Sequence, residues 1–299
     1  MIMEQDVEAF LDYLTCVRKF SNYTVTSYRE DLGKYLEFLD TMPSANQDYM
    51  LSLDVARAWM AEMGKRGLKA TTIKRRLCAL RSFCKYLRRE KKIDNNPLAL
   101  LPSPKVPKPL PVWVTESQMD DLLDNTDFGN DFVGKRDRLI IDLIYSTGMR
   151  RSEVASLKSA DIDYANRSIR VLGKGKKMRI VPFGEELFSL MSDFSHEKMC
   201  LFGEDTHFFV VDESGAGLTP EQIAVIAHKY LSSIPTLARQ TTHVLRHSFA
   251  TNMLSNGADL MAVKELLGHA SLQSTEVYTH LTPKDILANY RQAHPRSKK

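Results

Sequence analysis

Apolar positions in the first third of the chain recur at helical spacing. Val25, Tyr28, Leu32, Tyr35, Leu36 and Leu39 form one such stripe, and Val55, Trp59, Met60 and Met63 form another. That period predicts amphipathic helices packed as a bundle. The clearest helix is expected from about Thr71 to Arg89. Ile73, Leu77, Leu80, Cys84 and Leu87 make its apolar face. Lys74, Arg81, Lys85 and Arg88 each follow an apolar position by one residue, so a cationic stripe runs about 100° round the helix from the buried one. Such a helix fits a DNA groove.

The pattern breaks at a dense run of proline. Six of the 12 prolines lie between Pro97 and Pro111. That density excludes helix and central strand, and reads as an extended, semi-stiff linker. Its lysines, Lys105 and Lys108, suit a strap along a polyanion. The expected organisation is a helical domain over 1–96, a linker over 97–112 and a second domain over 113–299.

In the second domain, Thr115-Glu116-Ser117-Gln118 reads as a capping box opening a helix. An apolar segment from Leu139 to Ser146 ends at Gly148. Ser168–Leu172 and Met178–Val181 alternate apolar and polar residues around Gly173-Lys174-Gly175-Lys176-Lys177. This predicts a β-hairpin with a glycine-rich, cationic tip. The pattern is helical again from Pro220, with Gly257 and Gly268 at C-cap positions and Asp259 at an N-cap. The expected fold is mainly α, with one small antiparallel sheet in the C-terminal domain.

Bulk properties narrow the function classes. The 299 residues suit two domains, and 43% are hydrophobic, enough to fill real cores. No run of 18 apolar residues exists, and the acidic start MIMEQDVEAF lacks the form of a signal peptide. A cytoplasmic, nucleoid-associated protein with no membrane partner is expected. Cys16, Cys78, Cys84 and Cys200 are scattered without a C-x-x-C pair and are expected to be reduced thiols. Net charge is only +4, yet residues 65–92 hold twelve Lys/Arg against one acid, Glu90. That block, with Arg75 beside the stripe residues, is either a phosphate-backbone footprint or a solvated helix face.

The chemistry-bearing residues lie in the second domain. His243, Arg246 and His247 are spaced i, i+3, i+4 and share one helix face. A zinc site is not expected there: Val244 stands where the metalloprotease motif needs Glu, and an arginine between the histidines repels a cation. Arg150 follows a small-residue turn, Lys174 sits at the hairpin tip, His269 follows Gly268, and Tyr278 lies in a short polar segment. Each alone could be an ordinary polar residue. Together they are the parts for cutting a phosphodiester through a covalent enzyme link, with neither metal nor other cofactor.

Arg150, Lys174, His243-x-x-Arg246, His269 and Tyr278, in this order, resemble the motif set of the tyrosine recombinases (phage integrases). The strings Leu245-Arg246-His247-Ser248-Phe249-Ala250-Thr251, Leu266-Leu267-Gly268-His269-Ala270-Ser271 and Val277-Tyr278-Thr279-His280 look like the bacterial Xer branch. So do Tyr290-Arg291-Gln292-Ala293-His294-Pro295-Arg296 and, in the first domain, Arg76-Leu77, Leu80-Arg81-Ser82-Phe83 and Asn96-Pro97. The likeness runs along nearly the whole chain. Asn252, Met261, Lys264 and Ser274 depart from the branch's usual His, Arg, Gln and Thr, which bears on the target site and not on the catalytic set.

The resemblance implies an N-terminal SAM-like core-binding domain and a catalytic C-terminal domain. It implies that Tyr278 is the nucleophile and that Arg150 and Arg246 grip the phosphate. Lys174 would be the general acid, His243 the base or proton relay, and His269 a phosphate contact. Glu153 would orient Arg150 or a histidine. Double-stranded DNA is the implied partner, gripped by Lys74, Arg75, Arg81, Lys85, Arg88, Lys105 and Lys108. The implied assembly is a homo- or hetero-tetramer with a second recombinase, in which the segment from about Pro283 is exchanged between neighbours. Its implied role is to resolve chromosome dimers. A mobile-element integrase, a type IB topoisomerase and a catalytically silent DNA-binding regulator are the alternatives.

Overall fold

A computed structural model describes residues 2–42, 50–106, 112–173, 177–203, 206–268 and 283–297. Lys108, Lys174, His269 and Tyr278 lie outside the described residues. The chain divides into two compact units, Met1–Pro109 and Leu110–Lys299.

The first unit is helical: α1 (Ile2–Asp12), extended by a π-turn over Tyr13–Val17, α2 (Asn22–Leu39), α3 (Leu53–Lys65) and α4 (Ala70–Arg89). Ser21 and Ser52 start α2 and α3 by accepting the Thr24 and Val55 amides, each satisfying an otherwise orphaned donor. The apolar stripe of α4 is buried as its period requires. Ile73, Leu77, Leu80, Cys84 and Leu87 join Phe10, Leu32, Tyr35 and Trp59 in one core. Leu98 and Leu101 belong to the same core, so the proline-rich stretch begins packed against the first unit.

The second unit is built around α6 (Phe132–Thr147), whose second half, Leu139 to Thr147, is buried on every side. Before it comes α5 (Glu116–Asn125), opened by the capping box between Thr115 and Gln118. After it come the short α7 (Arg151–Ala155) and the strands β1 (Ile162–Asp163), β2 (Ser168–Leu172) and β3 (Met178–Pro182). The strands form one antiparallel sheet in the order β1-β2-β3. Then follow α8 (Glu185–Phe202), α9 (Pro220–Leu231), α10 (Thr242–Ser255), α11 (Leu260–Leu267) and α12 (Pro283–Ala293). Helices α8 and α10 pack against α6. Among the described residues, no helix is long and apolar enough to cross a membrane.

The C-terminal segment docks on its own unit. Tyr290 is buried and donates to the Ser146 carbonyl at 3.1 Å. His294 stacks on Tyr290 and meets Tyr145 and Phe249. Burial holds its imidazole down at about 3, so it is neutral at physiological pH. Arg296 ends the anchor among acids: it donates to Asp120 at 3.2 Å and pairs with Glu186 and Asp142.

Candidate phosphate-binding site

Gly148 sets the geometry of the site. It ends α6 in the left-handed conformation, φ 62°. A side chain there would meet the Phe249 ring at 2.7 Å and Leu267 at 2.8 Å. Only glycine allows that turn with α10 and α11 so close. The chain leaves the turn through Met149, and Arg150 becomes the N-cap residue of α7.

Glu153, one turn into α7, is buried and accepts four hydrogen bonds. Two come from Arg150, from its backbone amide at 2.8 Å and from Nη1 at 2.7 Å. Two come from Arg179, Nη1 at 2.9 Å and Nη2 at 2.8 Å. Burial alone would raise the Glu153 pKa, but the hydrogen bonds from Arg179 and Arg150 outweigh it and hold the carboxyl below its ordinary value. Glu153 is therefore an ionised anchor for two guanidiniums. Arg150 spends only Nη1 on a side-chain partner among the described residues and stays partly open to solvent.

Arg246 enters from α10. It is 8% exposed, while His243 and His247 on the same helix are exposed. Two of its N–H groups donate to the Gly148 and Leu267 carbonyls, groups that the ends of α6 and α11 leave without helical partners. Burial, and then the neighbouring Arg150 charge, lower its pKa to about 10. It remains a cation at neutral pH. Arg150 and Arg179 thus share the Glu153 carboxylate, and Arg246 lies within electrostatic reach of all three, leaving an excess of two positive charges. A cluster of donors with surplus charge suits a tetrahedral dianion or a phosphodiester whose charge grows in the transition state.

Arg179 was not among the residues singled out from the sequence. The Met178-Arg179-Ile180-Val181 alternation is ambiguous about which side faces in. In the structure Val171 pairs with Arg179 and Ile169 with Val181, and these four are the buried face. Leu172, Met178 and Ile180 are left exposed. The signal that the sequence does carry is an arginine at the second position of the strand after the cationic tip; the face it takes is set by the register with β2.

On α4, Lys74, Lys85 and Arg88 are exposed and have no ion-pair partner among the described residues. Arg75 pairs with buried Asp31 at 2.5 Å and bonds Ser27. Arg81 donates to Ser103 at 2.8 Å and to the Leu101 carbonyl, fastening the proline-rich stretch. Lys105 is exposed.

Residues 112–285 match the phage integrase family, and residues 7–91 match the phage integrase N-terminal SAM-like domain. The chain belongs to the phage integrase family, the tyrosine recombinases. It is 35% identical over 291 residues to tyrosine recombinase XerC of Listeria innocua, covering 96% of this chain and 97% of that protein. XerC of Oceanobacillus iheyensis is 34% identical over 299 residues, covering 99% of this chain and 97% of its own. This recombinase also shares its fold with solved relatives. The XerH site-specific recombinase bound to a palindromic difH substrate aligns with TM-score 0.72 and 24% identity, over 92% of this chain and 81% of that one. The Tn1549 transposon integrase in complex with transposon right-end DNA aligns with TM-score 0.71 and 21% identity, over 95% and 97%. A site-specific recombinase built this way is an enzyme of DNA breakage and rejoining.

Proposed function

We propose that this recombinase acts in the Xer manner on duplex DNA, resolving chromosome dimers through a 3′-phosphotyrosyl intermediate. The observation that carries this is the Arg150–Glu153–Arg179–Arg246 cluster, in a chain that matches XerC relatives over nearly its whole length. The phenolic oxygen of Tyr278 attacks the scissile phosphorus, and the bond to the 5′-oxygen breaks. Arg150 and Arg246 hold the non-bridging oxygens as their charge increases. Lys174 gives its proton to the departing 5′-oxygen. His243 takes the proton from Tyr278, and His269 hydrogen-bonds the phosphate. The linkage stores the bond energy, so attack by a new 5′-hydroxyl reverses the step without ATP.

Lys74, Lys85 and Arg88, with Lys105 and Lys108, contact DNA phosphates. Arg75 and Arg81 reach DNA only from positions already tied to Asp31, Leu101 and Ser103. The working assembly is a tetramer on two DNA sites, with a second recombinase or further copies of this chain.

Incubation with a nicked suicide duplex carrying a candidate chromosomal dimer-resolution site tests the reading. A covalent protein–DNA adduct on a denaturing gel is the expected result. Adducts formed only on a mobile-element end would replace the chromosomal role. Absence of any adduct under conditions of full DNA binding would sink the catalytic assignment.

The α4 stripe has its own test. Replacing Lys74, Lys85 and Arg88 together by alanine should flatten the plot of log affinity against log salt by roughly 0.9 for each phosphate no longer neutralised. An unchanged slope would make the stripe a solvated helix face.

A further inference from the structure

Arg179 touches the described segments next to three residues of the proposed catalytic set: α7, which begins after Arg150, Gly173 before Lys174, and the end of α11 before His269. Its two Nη groups hold Glu153, which in turn holds Arg150. Its Nε donates to the Leu266 carbonyl at 2.7 Å, at the end of α11. Two glycines complete the enclosure. A methyl group on Gly173 would lie 3.5 Å from Arg179 Nη1 and 3.9 Å from Glu153 Oε1. One on Gly268, whose φ is 62°, would lie 3.2 Å from Arg179 Cδ. In the chain Gly173 directly precedes Lys174, and Gly268 directly precedes His269. The Arg179 side chain is only 6% exposed, and its Nε and both Nη groups all donate within this arrangement.

The geometry points to Arg179 as a positioning residue for phosphodiester cleavage: it locks Arg150 through Glu153 and joins that lock to the turn before Lys174 and the helix end before His269. The inference rests on the recombinase reading of Arg150 given above. A buried ion pair by itself is weak evidence of stabilisation, because desolvation offsets most of the attraction. What this one supplies is direction. Arg179 grips both Glu153 oxygens as a fork and so fixes Oε1, the acceptor of Arg150 Nη1, which restricts how far the Arg150 guanidinium can turn. Lysine cannot reproduce this, since a single ammonium cannot grip both carboxylate oxygens and the Leu266 carbonyl in one plane.

Two measurements on the full-length protein test it. The first needs no DNA chemistry: side-chain ¹⁵N–¹H spectra of the guanidiniums, with the Arg150 signals assigned by Arg150→Lys. In wild type the Arg150 Nη signals should be resolved by restricted rotation. In Arg179→Met they should collapse towards the averaged signal of a free arginine. Should the methionine variant not fold, Arg179→Lys keeps the charge and should show the same collapse. Arg150 signals unchanged in a folded Arg179 variant would overturn the proposal.

The second measurement is single-turnover adduct formation on the nicked duplex, with DNA affinity measured alongside. Arg179→Met should lower the rate on the order of 10²-fold, the cost of a misplaced catalytic group, at unchanged affinity. The double variant with Glu153→Gln should be no slower than the slower single variant, because both act through one link. Additive losses, or a wild-type rate, would count against it. If wild type itself forms no adduct, the recombinase reading falls, while the spectra still decide whether Arg179 positions Arg150.

Discussion

Tyr278→Phe should abolish the covalent protein–DNA adduct and leave DNA affinity where it was. The substitution deletes one oxygen and keeps the ring, so any packing that depends on the ring survives. The step that forms the phosphotyrosyl bond has no other nucleophile in the proposed set. At neutral pH a phenol with a pKa of about 10 costs roughly 4 kcal/mol to ionise. In the proposed mechanism the cationic site offsets that cost and stabilises the phosphate charge that follows. Removing the phenol removes the reaction those cations serve. The measurement is the denaturing gel on the nicked duplex, beside a binding curve on the intact one. An adduct of undiminished yield in the phenylalanine variant would show that another residue attacks.

Arg246→Ala should fail in two ways at once, and this separates it from Tyr278→Phe. The rate of adduct formation should fall by on the order of 10²–10³, as when a donor to a developing oxyanion is removed. Stability should fall too. Arg246 supplies N–H groups to the carbonyls of Gly148 and Leu267, and both acceptors lie where α6 and α11 end. A buried acceptor left without a donor costs about 1–3 kcal/mol. The denaturation midpoint of the variant should therefore drop measurably, whereas that of Tyr278→Phe should not. Arg246→Lys should recover part of the stability and little of the rate, because an ammonium cannot bond both carbonyls and still present a planar fork to phosphate. A variant with full stability and a 10²-fold slower rate would mean that Arg246 is purely a phosphate ligand; a wild-type rate would remove it from the catalytic set.

The chain's own pattern determined much of this protein. The α4 stripe of Ile73, Leu77, Leu80, Cys84 and Leu87 is buried where its period puts it, and the cationic stripe beside it is exposed at Lys74, Lys85 and Arg88. The Thr115–Gln118 capping box, the Asp259 N-cap and the left-handed Gly268 are each where the sequence predicts. The hairpin pairs Leu172 with Met178 around the predicted tip. These features are local: a hydrogen bond across one turn, or a face repeated along one element, is written within a few residues.

The polar connections of the site are not local, and only the tertiary structure decided them. Arg179 and Glu153 are 26 residues apart, and Arg246 and Gly148 are 98 apart. Period alone could not say that the inner face of β3 carries Arg179 while Met178 and Ile180 face out; the register with β2 settles that. Nor could it separate Arg75 and Arg81, tied to Asp31 and to Leu101, from Lys74, Lys85 and Arg88. The spacing of one element reports which face it buries. Which charge meets which partner depends on how separate elements pack, because a guanidinium taken out of water must find acceptors wherever the fold brings them.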